Sequence, residues 1–198
     1  MTGKERREQL LDVGRGLFAE RGYEAASIEE IASRAEVSKP VVYAHFGGKE
    51  GLYAVVVDRE MRALLDRVTG ALTGGHPREL LEQAALALLT YIEEQTDGFR
   101  ILVRDSPVLS GQGNFSSLLN DIASRVEYVL AAEFAARGFA SELAGLYSQA
   151  LVGMVALTGQ WWLDAREPGR EEVAAHLVNL AWRGLSHLET KPRLSAPG

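Results

Sequence analysis

Apolar residues recur at three- and four-residue intervals along almost the whole of this 198-residue chain, and no stretch alternates apolar with polar side chains as a half-buried strand would. That regularity commits the chain to helices, ended by glycine, proline and small polar residues. The first helix is predicted over about residues 4–21, with Leu10, Leu11, Val13, Leu17 and Phe18 inward, and it stops at "RGY" around Gly22. In "SIEEIASRA", Ser27 and Glu30 have capping-box spacing, each side chain serving the other's orphan amide. Ile28, Ile31 and Ala32 supply the buried stripe of that short helix. "AEVSK" is a turn in which Val37 plugs inward and Ser38 caps the next helix, with Pro40 tolerated in its first turn. That helix ends at Gly47-Gly48, and Lys49 opens a long one running to about Thr73, closed by "GGHP". Further helices are expected over 77–96, 98–104, 115–137, 140–166 and 170–189, with a loop "SPVLSGQGN" at 106–114 and a disordered tail "TKPRLSAPG". Nine helices make an all-α protein.

Several chemistries are ruled out early. The chain has no cysteine, so it holds neither a disulfide scaffold nor a thiolate nucleophile or metal ligand. His45, His76, His176 and His187 lie on separate elements without metal-binding spacing, and no nucleophile elbow, phosphate-binding loop or dinucleotide fingerprint occurs. Glu29-Glu30, Glu93-Glu94 and Glu171-Glu172 read as solvated helix faces. No catalysis, metal or cofactor is expected. No apolar run has membrane-spanning length and the start lacks a signal-peptide pattern, so a cytoplasmic protein without a membrane partner is expected. The net charge of −6 argues against indiscriminate coating of nucleic acid and permits contact through a small patch.

Such a patch is visible in "VSKPVVYAHFGGK", residues 37–49. On a helical wheel Val42 and Phe46 point to a core formed by the first two helices. Pro40, Val41, Tyr43 and Ala44 are left on the outward arc, with Lys39 and His45 on its flanks. A helix of about eight residues, reached from a short helix through a tight turn, is a helix-turn-helix whose second helix fits the major groove. Val41 suits a thymine methyl; Tyr43 and His45 suit phosphates.

Residues 18–53, "FAERGYEAASIEEIASRAEVSKPVVYAHFGGKEGLY", resemble the DNA-binding domain of the TetR/AcrR family of bacterial transcriptional regulators. The resemblance implies that Lys39, Pro40 and Val41 meet base edges, that Tyr43, His45 and Lys49 hold phosphates, and that the hydroxyls of Ser27 and Ser38 reach the DNA backbone. It divides the chain into an N-terminal three-helix DNA-binding domain, residues 1–52, and a C-terminal ligand-binding and dimerisation domain, residues 53–198. Two features depart from a strong DNA binder. Residues 1–52 hold eight Lys/Arg against nine Asp/Glu, and the recognition helix lacks Arg, Asn and Gln, leaving Lys39 as its one strong polar reader. Methyl contacts and DNA shape are expected to contribute. Lys4, Arg6 and Arg7 form an N-terminal arm that is either solvated or adds phosphate or minor-groove contacts.

The C-terminal part carries helices with two apolar faces, which need two partners. Within 140–166, Leu143, Tyr147, Ala150, Met154, Leu157 and Trp161 form a large stripe, and Gly145, Val152, Gly153, Ala156 and Gly159 a small one. The last helix is apolar around most of its circumference, including Leu177, Leu180, Ala181, Gly184 and Leu188. The small stripe and these last-helix residues are expected at a homodimer interface, in a four-helix bundle of the kind the resemblance also suggests. The resemblance further implies a pocket for a small-molecule effector, for which Arg100, Arg104, Asp105, Tyr128 and Trp161 are candidates, with the 106–114 loop as an entrance. The expected activity is therefore that of a repressor released from a palindromic operator in double-stranded DNA by an apolar small molecule. A helical carrier with an inactive DNA-binding module, and an architectural DNA protein, are the alternatives.

Overall fold

The computed structural model describes residues 2–104 and 115–194, and every regular element among them is helical. Nine α-helices follow one another: α1 Gly3–Ala25, α2 Ile28–Arg34, α3 Lys39–Phe46, α4 Lys49–Ala71, α5 Pro77–Glu94, α6 Thr96–Val103, α7 Phe115–Ala136, α8 Ala144–Ala165 and α9 Arg170–Ser186. The all-α expectation holds, and the breakers fall where glycine was read as a stop. Gly22 leaves helical geometry within α1 at φ 78°, and Gly47 ends α3 at φ 73°, a left-handed conformation that costs glycine little. At the opposite end of α1, Thr2 and Glu5 form a reciprocal capping box that the sequence reading passed over. The last two helices are shorter than their apolar patterns suggested, because a separate 3-10 turn occupies Ser141–Leu143 and α9 stops at Ser186.

The chain separates into two compact units, residues 1–66 with 91–118, and residues 67–90 with 119–198. This geometric partition differs from the division expected at residue 52, because α6 returns to the first unit and packs along α1. In that unit Leu10, Leu17, Ile31, Val42 and Leu52 are fully buried. Gly14 lets α1 approach α4 closely: a Cβ there would lie 2.9 Å from Leu52 Cδ2. An aromatic group fastens the end of α1 to the start of α4, with Phe18 edge-on to Tyr53 at 4.9 Å between centroids and Tyr23 tilted on Tyr53 at 4.8 Å.

An acid sits in the same core. The inward stripe of α4 runs Leu52, Val56, Glu60, Leu64, Val68, and Glu60 is as buried as its apolar neighbours at 6% exposure. Its Oε2 accepts a 2.6 Å hydrogen bond from the Tyr91 hydroxyl, and its Oε1 lies 3.2 Å from Arg15 Nε, within ion-pair range though poorly aimed for a hydrogen bond. Arg15 also donates to Gln95 Oε1 at 2.6 Å. The four side chains tie α1, α4, α5 and the start of α6 together around one buried charge.

In the second unit, Leu130 and Phe134 of α7 and Ala144 of α8 form a buried cluster joined by Phe139, Leu143, Tyr147, Leu151 and Leu188. Trp162, 1% exposed, donates its indole N–H to the Pro168 carbonyl at 2.8 Å and closes the turn into α9. Arg137 caps the end of α9 by donating to the carbonyls of Leu185 and Ser186.

Candidate nucleic-acid interface

α2, the turn at residues 35–38 and α3 form the helix-turn-helix. Ser27 Oγ accepts the Glu30 amide at 3.1 Å and starts α2. The reciprocal half of the expected box is not made, because two guanidinium groups take the Glu30 carboxylate: Arg21 at 3.0 Å and Arg34 at 2.9 Å. Charge-assisted bonds of that kind outcompete one helix-end amide. The turn is held by the Val37 amide on the Ala32 carbonyl and by Gln9 reaching the Ala35 carbonyl from α1.

α3 is anchored by Val42, fully buried, and by Phe46, half-buried under the Arg7 guanidinium at 5.0 Å. The contact turns Arg7 toward α3. The outward arc is the expected one. Lys39, Pro40, Tyr43 and Ala44 are exposed, and Val41 and His45 are half-buried on its margins. Tyr43 is 53% exposed with its ring beside Gly48. Ser38 stands at the N-cap position of α3, exposed, yet its hydroxyl makes no capping bond.

The structure shows what holds two cations of the expected site. Lys49 turns inward, donating to the carbonyls of Tyr23 at 3.0 Å, Glu24 at 3.3 Å and Ala26 at 3.1 Å, with the Tyr23 ring beneath it at 4.3 Å. An ammonium has three N–H donors, and all three are used here. Lys49 is thus corrected from phosphate contact to the clasp that fixes the start of α4 on the end of α1. Lys39 is hydrogen-bonded to Glu29 in the first turn of α2, and this pairing holds the Glu29 carboxyl below its ordinary range. Glu29 was read from sequence as plain surface; its position ten residues before Lys39 gives no sign of the contact.

The other expected site residues scatter. Arg104 donates to the Ala19 carbonyl at 2.9 Å, supporting the end of α1, and Arg100 is half-buried on α6. Tyr128 is 74% exposed beside Arg125, and Trp161 is 57% exposed. Asp105 and the 106–114 loop lie outside the described residues. A cavity of about 170 Å³ lies in the first unit between α1 and α4, lined by Leu11, Asp12, Arg15, Val56, Arg59 and Glu60 among others. Half of its lining is charged, through Asp12, Arg15, Arg59 and Glu60.

On α8 the burial cuts across both expected stripes: Leu143 and Tyr147 of the large stripe pack on the α7 cluster, whereas Ala150, Leu157 and Trp161 of the same stripe are exposed. Ala156 is 1% exposed, Gly159 is buried and Gly145 faces Glu127 of α7, so these three members of the small stripe are engaged within the chain itself. Leu177, at 8%, and Leu188, against the α7 cluster, are likewise engaged. A side chain buried within the chain has no surface left for an interface. The open apolar face is Leu146, Ala150, Leu157 and Trp161, with Gly153 in reach, and Leu180 and Gly184 are exposed on α9. Val152 and Ala181 are half-buried.

Residues 10–56 match the family model described as bacterial regulatory proteins, tetR family, and residues 67–197 match the tetracyclin repressor-like C-terminal domain. The chain is 32% identical over 194 residues to the HTH-type transcriptional activator FasR of Mycolicibacterium smegmatis, covering 93% of this chain and 84% of FasR. This chain belongs to the TetR family. A shorter match, 37% identical over 84 residues, joins it to the HTH-type transcriptional repressor Rv3405c of Mycobacterium tuberculosis, covering 42% of this chain and 43% of that one. Among solved structures it is similar to the TetR family regulator PfmR from Thermus thermophilus, with TM-score 0.73, 27% identity, and coverage of 89% of this chain and 98% of PfmR. This TetR-family chain is a DNA-binding transcriptional regulator and not an enzyme. No helix among the described residues is long and apolar enough to cross a membrane.

Proposed function

We propose that this TetR-family chain is a homodimer that binds an inverted-repeat operator through two copies of α3 and is released by an apolar small molecule. The observation that supports docking best is the outward arc of α3: Pro40, Val41 and Ala44 are small enough for close approach, and Lys39, Tyr43, His45 and the uncapped Ser38 offer polar groups around them. Lys39 and Val41 meet base edges, and Tyr43, His45, Ser38 and Ser27 serve the backbone. Two twofold-related α3 helices must enter successive major grooves about 34 Å apart, which is why the operator is an inverted repeat.

The homodimer uses the open apolar faces of α8 and α9. Release follows from the path of α4, which begins clasped to α1 through Lys49 and continues to Ala71. A molecule that favours a tilted α4 carries α3 away from its groove. A differential affinity of about 10⁴-fold nearly completes such a switch, and linkage makes operator DNA weaken ligand binding by the same factor.

A second reading concerns sign. The relative aligned over 93% of the chain is named an activator, whereas Rv3405c, named a repressor, aligns over 42%. The bound protein then raises transcription from its target.

Incubating purified protein with sheared genomic DNA and sequencing the retained fragments tests the function. An enriched inverted repeat is expected; scattered fragments indicate an architectural protein, and no retention a carrier. Transcription in vitro from the enriched fragment, with and without protein, decides repression against activation. Tyr43→Phe and His45→Ala are expected to weaken binding to all sequences alike, and Val41→Ala to change base preference.

A further inference from the structure

The module containing α1–α3 carries slightly more acid than base, and the structure shows how its cations are used. Arg21 and Arg34 end on Glu20 and Glu30, and Lys49 ends on backbone carbonyls. Lys39, the single Lys or Arg of α3, ends on Glu29. Both partners are open to solvent, Lys39 at 52% and Glu29 at 62% of side-chain exposure, so the pair lies on the module's surface beside the arc that faces DNA.

We propose that Glu29 is a specificity-determining residue of this regulator: its carboxylate withholds Lys39 from phosphates and leaves the ammonium free to read acceptor-rich base edges. The inference rests on the DNA-docking reading above. Two states compete when α3 meets a duplex. If Lys39 swings to a phosphate, the protein gains one ion pair and leaves the Glu29 carboxylate unpaired beside a polyanion. If Lys39 stays, two of its three N–H groups remain for a base, such as guanine with O6 and N7 acceptors, and no charge is separated. The first state is available on any sequence; the second needs the right base. Glu29 therefore penalises arbitrary DNA more than the cognate site, which is specificity by discrimination against the competitor. An exposed glutamate carboxyl is ionised at neutral pH in any case, and the bond from Lys39 lowers its pKa further, so the charge this role requires is present.

The test is Glu29→Gln, which keeps the size and removes the charge. Wild type, Glu29→Gln, Lys39→Ala and the double variant are titrated against a random-sequence 30-base-pair duplex and against the fragment enriched by the wild type, between 50 and 200 mM salt. Glu29→Gln is expected to bind the random duplex more tightly. The slope of log K against log salt should steepen by about 0.9, one phosphate's worth, making the affinity loss across that range about 3-fold larger. Preference for the enriched fragment should fall by about 5-fold or more. Both effects should vanish in the Lys39→Ala background. An unchanged salt slope overturns the proposal. So does an equal gain with and without Lys39, which would show a general charge effect. Failure of the wild type to bind either duplex at 50 mM salt overturns the docking reading itself, and this inference with it. Matching thermal melts confirm that the exposed substitutions leave the fold intact.

Discussion

Gly98 in α6 stands directly against the buried carboxylate of Glu60. A Cβ added there would lie 1.9 Å from Glu60 Oε2, 2.6 Å from its Cδ and 2.9 Å from the Tyr91 hydroxyl. Real Cβ atoms essentially never approach within 3.0 Å, so in Gly98→Ala the carboxylate must retreat by about 1 Å. Retreat breaks the 2.6 Å bond from Tyr91 and disturbs the 3.2 Å approach to Arg15. A hydrogen bond to a charged group contributes about 1.5–3 kcal/mol, and local overpacking adds about 1–3 kcal/mol. Alanine's helix preference over glycine returns up to about 1 kcal/mol. The expected net loss is about 1.5–5 kcal/mol, centred on about 3, and Tm falls by about 2–4 °C per kcal/mol for a chain this long. In a Glu60→Ala background the carboxylate is gone, and the Tyr91 hydroxyl keeps its bond to the main-chain carbonyl of residue 60 and needs to give by only about 0.1 Å. The same glycine substitution then costs less than about 1 kcal/mol, giving a coupling of about 2 kcal/mol. Urea unfolding followed by circular dichroism, at one protein concentration, measures all four corners of the cycle. Additive losses would show that Gly98 and Glu60 do not meet, and would refute the reasoning.

Lys49→Ala removes the donor to three carbonyls at the end of α1 and is expected to destabilise the protein by about 2 kcal/mol. Its salt slope on random DNA should stay at the wild-type value, whereas a phosphate-contacting lysine would lower it by about 0.9. On the open face of α8, Leu157→Arg should yield monomers by light scattering with an unchanged helical spectrum, and Trp161→Ala should weaken a dimer by about 30-fold or more if Trp161 is an anchor; dimers of undiminished affinity in both variants would place the interface elsewhere. For pH, Glu20 and Glu29 are held below the ordinary carboxylate value of 4.5 by hydrogen bonds from Arg34 and Lys39. Their stabilisation is present above 4.5 and is lost as pH falls through the lower folded values, so Glu20→Gln should lose less stability between pH 7 and pH 3 than the wild type does. Burial raises the Tyr23 phenol above its ordinary 10, so stability falls as pH rises past 10, and Tyr23→Phe should flatten that decline.

Period and punctuation were enough to read the helices. The apolar spacing located all nine among the described residues, and Gly22 and Gly47 marked real breaks, because those signals act over one turn and need no tertiary partner. The recognition helix was legible for the same reason: burying Val42 leaves only one way for Tyr43 and Ala44 to face. Periodicity says which residues share a face, but not what that face meets. Hence both stripes of α8 were visible, while which members of each are covered was decided by where α7 lies, with Leu130 and Phe134 against Ala144 and with Leu143 and Tyr147 drawn in beside them. Charged side chains are the least legible, since a long flexible stem can reach several neighbours and the winner depends on tertiary distance. Lys49 found carbonyls that lie 23 to 26 residues earlier, Glu30 found two arginines instead of its own helix end, and Lys39 found Glu29. Glu60 did leave a trace, an acid in the middle of a four-residue apolar repeat, yet only the fold brings Arg15 and Tyr91 to neutralise and bind it.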